Sequence, residues 1–126
     1  MRLVVDGNDG TGKSTLVEAL RALGYEVDDR AEPTKMTDDP SLKADPDALY
    51  LILDASVDIC RARLEKAGKD LDEAYHTRKD LAYYRQKFYE VIDRLPNHVV
   101  IDAAHSPDRV LSQVLRVLRG YGVEPV

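Results

Sequence analysis

Near the start of the chain, Gly7-Asn8-Asp9-Gly10-Thr11-Gly12-Lys13-Ser14-Thr15 places four residues between a glycine and a Gly-Lys-Ser triplet. Such a loop cradles a phosphate only when a strand leads into it and a helix leaves it. Both flanks meet that condition. Arg2 to Asp6 contains Leu3, Val4 and Val5 and reads as a short buried strand ending at a carboxylate. From Lys13 onward, Leu16, Val17, Leu20 and Leu23 recur at helical spacing until Gly24. Strand, glycine loop and helix in that order open an α/β chain.

Each part of the loop solves a separate problem. The glycines allow positive φ, so that successive N–H groups turn toward one anion. Lys13 neutralises the outer phosphates, Ser14 offers a hydroxyl to Mg²⁺, and the helix N-terminus adds partial positive charge. Gly7, Asn8, Asp9, Gly10, Thr11, Gly12, Lys13, Ser14 and Thr15 are therefore predicted to hold a nucleoside triphosphate.

Strands and helices continue to alternate. Tyr25-Glu26-Val27 is a second strand candidate, whereas residues 28 to 47 carry Pro33, Pro40 and Pro46 with little apolar periodicity and predict a loop or a pair of short turns. Ala48 to Leu53 is an unbroken apolar run ending in Asp54, as in a central parallel strand. Ser56 can cap a helix with the stripe Val57, Cys60, Leu64 and Ala67, closed by Gly68. After a polar stretch from Gly68 to Asp80, a long helix presents Leu81, Tyr84, Phe88, Val91, Ile92 and Leu95. His98 to Ile101 is a last strand ending in Asp102, and Ser106-Pro107 begins a helix with Val110, Leu111, Val114, Leu115 and Leu118 inward. The predicted fold is α/β: a P-loop-containing three-layer α/β/α arrangement with a small parallel sheet. At 126 residues, 1–126 reads as a single domain.

Composition narrows the partners. A formal net charge of −5 argues against nucleic acid or a membrane surface, both of which call for a concentrated basic face. No apolar stretch approaches the roughly 20 residues of a spanning helix. The one cysteine, Cys60, falls on a core stripe, excludes an internal disulfide and fits a cytoplasmic setting. His76, His98 and His105 share no metal-ligand spacing and read as surface or strand-edge residues. Asp54 and Asp102 both end strands at the carboxyl edge of the sheet. Asp54 has two readings, as a metal-directed carboxylate of the Walker B kind or as a cap beside Ser56; Asp102 reads as structural.

The loop is more specific than its generic pattern. Asp6 to Thr15 resembles the phosphate loop of thymidylate kinases, Glu-Gly-x-Asp-Gly-x-Gly-Lys-Ser-Thr. Pro46 to Asp54 is similar to that family's Pro-Asp-x-x-x-Tyr-Leu-Asp strand, and Arg63 to Lys69 to the Arg-x-x-Lys-x-Gly-Lys that enters its lid. Ile101-Asp102-Ala103 followed by Ser106-Pro107 resembles its last strand and adenine loop. The resemblance implies ATP and Mg²⁺ as cofactors and a small-molecule nucleotide, a deoxynucleoside monophosphate, as acceptor; it leaves a homodimer open. Lys13, Asp9, Arg30 and Asp29 would be catalytic, with Asp9 on the acceptor sugar. Arg63 and the backbone at Ala103 and Ala104 would face the adenine, and Mg²⁺ would lie by Ser14, Asp29 and Asp54. Glycine at position 10 implies a catalytic cation from the lid, for which Lys69, Arg78 and Lys79 are available.

The chain departs from the family between the first helix and the Tyr-Leu-x-Leu-Asp strand, where residues 28 to 47 replace two strands and several helices. Asp29-Arg30 resembles the start of an Asp-Arg-Tyr motif, whereas Arg30 with Glu32-Pro33 resembles Arg-Glu-Pro with one residue inserted. Both alignments put Arg30 on the acceptor phosphate. Tyr75, Tyr83 and Tyr89 are the candidates for a base platform. The competing expectation is an ATP-binding or weakly hydrolysing P-loop protein that has lost its acceptor site.

Overall fold

The apolar runs pair side by side. In the computed structural model, which describes all residues 1–126, β1 (Arg2–Gly7) lies between β2 (Val27–Asp29) and β3 (Ala48–Asp54), and β4 (His98–Asp102) completes the sheet beyond β3. All pairings are parallel, in the order β2-β1-β3-β4. The register sets Val5 beside Leu51 and Asp54 beside Asp102, so that strand-terminal carboxylates share the carboxyl edge. Helices α1 (Lys13–Ala22), α2 (Glu32–Met36), α3 (Val57–Lys66) and α4 (Arg78–Ile92) fill the connections, and α5 (Pro107–Gly120) follows β4.

Alternation along the strands produces two cores. Leu3 and Val5 of β1 and Leu49, Leu51 and Leu53 of β3 face Leu16 and Leu20 of α1, Cys60 of α3 and Val114 and Leu118 of α5. Val4, Ala48, Tyr50 and Ile52 point the other way, onto Met36 of α2, Phe88 and Val91 of α4, and Leu95 just beyond it. β3 is covered on both faces, as its continuous apolar run predicts. The α/β class and the three layers are those expected. No helix is long and apolar enough to cross a membrane.

The segment from 28 to 47 differs from the expected loop. It opens with β2, which begins two residues later than the Tyr25 start expected, and continues into the five-residue α2. So short a helix is not stable alone; side chains from distant elements hold it. Asp6, fully buried at the end of β1, accepts bonds from the Thr34 amide (2.9 Å) and hydroxyl (2.7 Å). Arg2 forms ion pairs with Glu32, Asp28 and Asp45, and the Tyr50 hydroxyl donates to Glu32 (3.1 Å) while accepting from the Asp45 amide (2.8 Å). Arg94 donates to the carbonyls of Met36, Asp39, Pro40 and Leu42 at 2.5 to 3.3 Å. Residues 31 to 44 thereby become the cover of the second core, with Met36 buried and Ala31, Leu42 and Ala44 packed against it.

Two caps bear on the site. Ser56 accepts from the Ile59 amide (3.2 Å) and caps α3, which leaves Asp54 without that task. Thr77 accepts from the Asp80 amide (3.1 Å) and starts α4 at Arg78, so the connection after α3 is shorter than the predicted stretch to Asp80.

Candidate active site

A cleft of about 790 Å³ lies at the carboxyl end of the sheet, where open α/β folds bind ligands. Its floor is the loop from Asp9 to Thr15 and the start of α1. Its walls are Arg30 after β2, Arg63 and Leu64 of α3, Lys69, Glu73 and His76 of the α3–α4 connection, and Ala103, His105 and Pro107 after β4.

The loop turns sharply and leaves donors facing the cleft. Gly12 is the α1 N-cap with φ 92°, no side chain caps the helix, and no acidic residue occupies its first turn. The first-turn amides therefore remain a site for an anion. Gly10, at φ 82°, packs so closely on α3 that a Cβ there would stand 2.6 Å from the Cys60 carbonyl oxygen. This contact gives glycine at position 10 a steric reason, independent of any catalytic cation.

Lys13 is buried, its ammonium donating to the carbonyls of Gly7 and Asn8 at 2.7 Å each and lying 3.8 Å from Asp9. Burial pushes its pKa down and Arg30 adds to that, while the charges of Asp9, Asp6 and Asp29 oppose it. Buried donors on a flexible stem can exchange loop carbonyls for phosphate oxygens without crossing solvent. Asn8 ties the loop to α4 through the Leu81 carbonyl (2.7 Å).

Arg63 spans the cleft's other end, with one guanidinium nitrogen 3.4 Å from the Gly10 carbonyl and the other 3.2 Å from that of His105. Its plane joins the phosphate loop to the loop after β4, where Ala103 is buried and donates to the Asp54 carbonyl (2.8 Å). Opposite Arg63, Arg30 adopts φ 51° and reaches Asp9 at 2.5 Å. A basic group therefore stands at each end of the phosphate loop.

No protein-family model matches the chain. A curated relative, the bifunctional cordycepin biosynthesis cluster protein 3 of Cordyceps militaris, is 30% identical over 147 aligned residues covering 93% of the chain; the chain spans 17% of that protein's length. Among solved structures, deoxyadenosine kinase from M. mycoides, with dCMP and a flexible dCDP bound, superposes with a TM-score of 0.69 at 15% identity, covering 96% of this chain and all of that one. The same enzyme with dATP gives 0.69 at 15% identity, over 94% of this chain and all of that one. An unliganded sugar kinase from Janibacter sp. HTCC2649 gives 0.54 at 16% identity, over 98% of this chain and 95% of that one. The chain has the P-loop kinase fold. None of these solved neighbours is a thymidylate kinase.

Within this P-loop kinase fold, the predicted site residues separate by position. Asp9, Gly10, Thr11, Gly12, Lys13, Ser14, Thr15, Arg30, Arg63 and Ala103 line one cleft. Gly7 and Asn8 shape the loop from behind, as carbonyl acceptors for Lys13. Asp29 is exposed at the end of β2, outside the cleft lining yet near enough for its charge to act on Lys13. Of the lid cations, Lys69 lines the cleft, whereas Arg78 is paired with Asp58 (2.5 Å) and Lys79 is not in the lining.

Asp54 does not occupy the metal-directed position considered for it. Both of its oxygens are taken, by Arg85 (2.8 and 3.1 Å) and the Tyr89 hydroxyl (2.6 Å), and it faces away from the cleft. Burial pushes its pKa up, but the bonds from Arg85 and Tyr89 outweigh this and leave it below the usual aspartate value. Glu32 is likewise occupied, by Arg2 and Tyr50. The cleft holds no cluster of three or more acidic, histidine or cysteine ligands. Mg²⁺ needs only one or two protein ligands and completes its shell with phosphate oxygens and water; Ser14, exposed at the start of α1, is the hydroxyl in the cleft lining that could serve it, whereas Asp29 lies outside that lining.

His76 departs most from its expected surface role. It is 9% exposed, lines the cleft, and brings Nε2 to 3.3 Å from Asp9. No spacing signal marks it, because a loop that folds back delivers it. Tyr75, Tyr83 and Tyr84 form an aromatic cluster, with ring centroids 5.1 and 5.2 Å apart, beyond the cleft lining; Tyr89 serves Asp54. None of the three tyrosines proposed for a base platform lies in the cleft itself.

Proposed function

We propose that this chain transfers the γ-phosphoryl group of ATP to a (deoxy)nucleoside monophosphate, as a compact kinase of the thymidylate kinase kind acting in the cytoplasm. One observation carries the reading: the phosphate loop shares a single cleft with Arg30, a basic group that meets the same Asp9 oxygen as Lys13. A second cation at that place can hold the phosphate of an acceptor beside the γ-phosphate. The deoxynucleoside kinase fold of the neighbours supports the same direction.

In this mechanism the amides of the loop and of α1 hold the β- and γ-phosphates, with Lys13 between them. Arg63 and the backbone at Ala103 orient the adenine. Arg30 holds the acceptor phosphate so that its oxygen meets the γ-phosphorus in line, opposite the departing ADP oxygen. Lys69 approaches from the lid to offset charge on the transferring oxygens. Mg²⁺, when bound beside Ser14, supplies further charge neutralisation. Little covalent chemistry falls to the protein, because positioning and electrostatics provide most of the rate in phosphoryl transfer.

Arg30→Ala tests the reading. It is expected to raise the acceptor KM by about 10- to 100-fold, the worth of a charge-assisted bond, with MgATP affinity unchanged. An unchanged acceptor KM would remove Arg30 from the acceptor site. A second reading, an ATP-binding or slowly hydrolysing protein, is favoured by the segment after β2: residues 31 to 44 cover the second core instead of adding a pocket wall. ADP formation independent of any acceptor distinguishes it.

A further inference from the structure

Asp9 is held at both ends. Arg30 contacts its Oδ1 at 2.5 Å, with Lys13 at 3.8 Å from the same oxygen, and His76 contacts Oδ2 at 3.3 Å. The three cationic or titratable partners come from the end of β2, the start of α1 and the α3–α4 connection. A single carboxylate thus joins the lid to the residue proposed for the acceptor phosphate.

The lid is built to deliver His76 there. Tyr75 takes φ 71° immediately before it, and the His76 amide donates to the Glu73 carbonyl (3.0 Å). Arg61 of α3 donates to the carbonyls of Leu71 (2.8 Å) and His76 (3.1 Å), fastening the loop at both ends. Nδ1 meets the Asp70 carbonyl at 2.9 Å. That oxygen can only accept, so Nδ1 donates to it, and this bond fixes the ring with Nε2 turned toward Asp9. Glu73, 3.8 Å from Nδ1, is a second acid facing it.

We propose that His76 is a positioning residue: it pins one oxygen of Asp9 so that the other aims Arg30 into the cleft. Arg30 is about half exposed, with side-chain accessibility of 54%, and Asp9 is the one carboxylate paired with it. Its orientation therefore depends on how firmly Asp9 is fixed. The part of this inference that concerns the acceptor rests on the function proposed above; the link between lid and loop does not.

Two readouts separate those parts. In the first, which needs no turnover, tryptic cleavage after Lys69 and Arg78 is timed in His76→Ala, His76→Gln, Asp9→Asn and the Ala/Asn double variant. Glutamine sets an amide N–H near the place of Nε2. His76→Ala and Asp9→Asn should each speed cleavage by about tenfold, the double variant no more than either, and His76→Gln should stay near wild type. Effects that multiply, or glutamine cleaved as fast as alanine, overturn the link. In the second readout, His76→Ala should raise the acceptor KM by about tenfold while the MgATP KM is unchanged, with rescue by His76→Gln. Equal loss in both KM values, or no rescue, reduces His76 to lid packing. If no acceptor is phosphorylated at all, the kinase reading falls and the cleavage cycle alone decides the proposal.

Discussion

Arg85 of α4 grips the Asp54 carboxylate with two parallel bonds, Nε to Oδ1 at 2.8 Å and Nη2 to Oδ2 at 3.1 Å. A strand-end aspartate that resembles a metal ligand in sequence is thereby an anchor for the helix behind the site.

The pair makes a pH-dependent contribution to stability. The Asp54 pKa is lower when folded, so the contribution is present above the ordinary aspartate value of 3.8 and is lost as pH falls through the depressed folded value. Arg85 is partly exposed, which discounts its worth to about 1 kcal/mol. Urea unfolding of Arg85→Met should show that deficit near neutral pH, and the deficit should shrink progressively as pH is lowered below 3.8. Asp54→Asn should destabilise similarly while leaving MgATP affinity within about twofold of wild type, since a change of that size is less than one lost hydrogen bond.

Gly10 and Gly68 offer a matched comparison. Both have positive φ, 82° and 73°, but only Gly10 faces backbone at sub-contact distance; a Cβ at Gly68 meets nothing within 4 Å. Gly68→Ala should cost about 1 kcal/mol from its conformation alone. Gly10→Ala should cost more, about 2–3 kcal/mol, and weaken ATP because the loop must move off α3. Thermal melts with and without nucleotide measure both effects; equal costs would contradict the packing argument.

Arg94 holds four carbonyls of the segment that covers the second core. Arg94→Ala should cost about 1–3 kcal/mol by leaving those carbonyls without their donor. Amide hydrogen exchange should quicken locally, around residues 36 to 42, while the phosphate loop keeps its protection.

What could be read from the sequence follows the range of the interactions involved. β3, the Ser56 cap and the α1 start at Lys13 are legible because each rests on a local pattern: an apolar run, a hydroxyl three residues before the amide it accepts from, a glycine before a helical stripe. α2 is not legible, since its five residues persist only through Asp6, Arg2 and Arg94, which lie far away in sequence. The site divides in the same way. The phosphate loop is contiguous and readable as such, whereas the place of His76 and the Arg85 clamp on Asp54 exist only once α4 and the α3–α4 connection have packed. The place of Asp54 at the sheet edge follows from the apolar run before it, whereas its partners Arg85 and Tyr89 lie 31 and 35 residues away.

Phosphoryl transfer to an acceptor held across the loop from ATP is open to a direct assay. The direct measurement is ADP formation with Mg²⁺ and ATP in the presence of each nucleoside monophosphate in turn, beside a Lys13→Ala control. ADP should form in step with a phosphorylated acceptor for one or a few monophosphates, and not at all with the control. Acceptor-independent hydrolysis, or no turnover with any monophosphate, would contradict it.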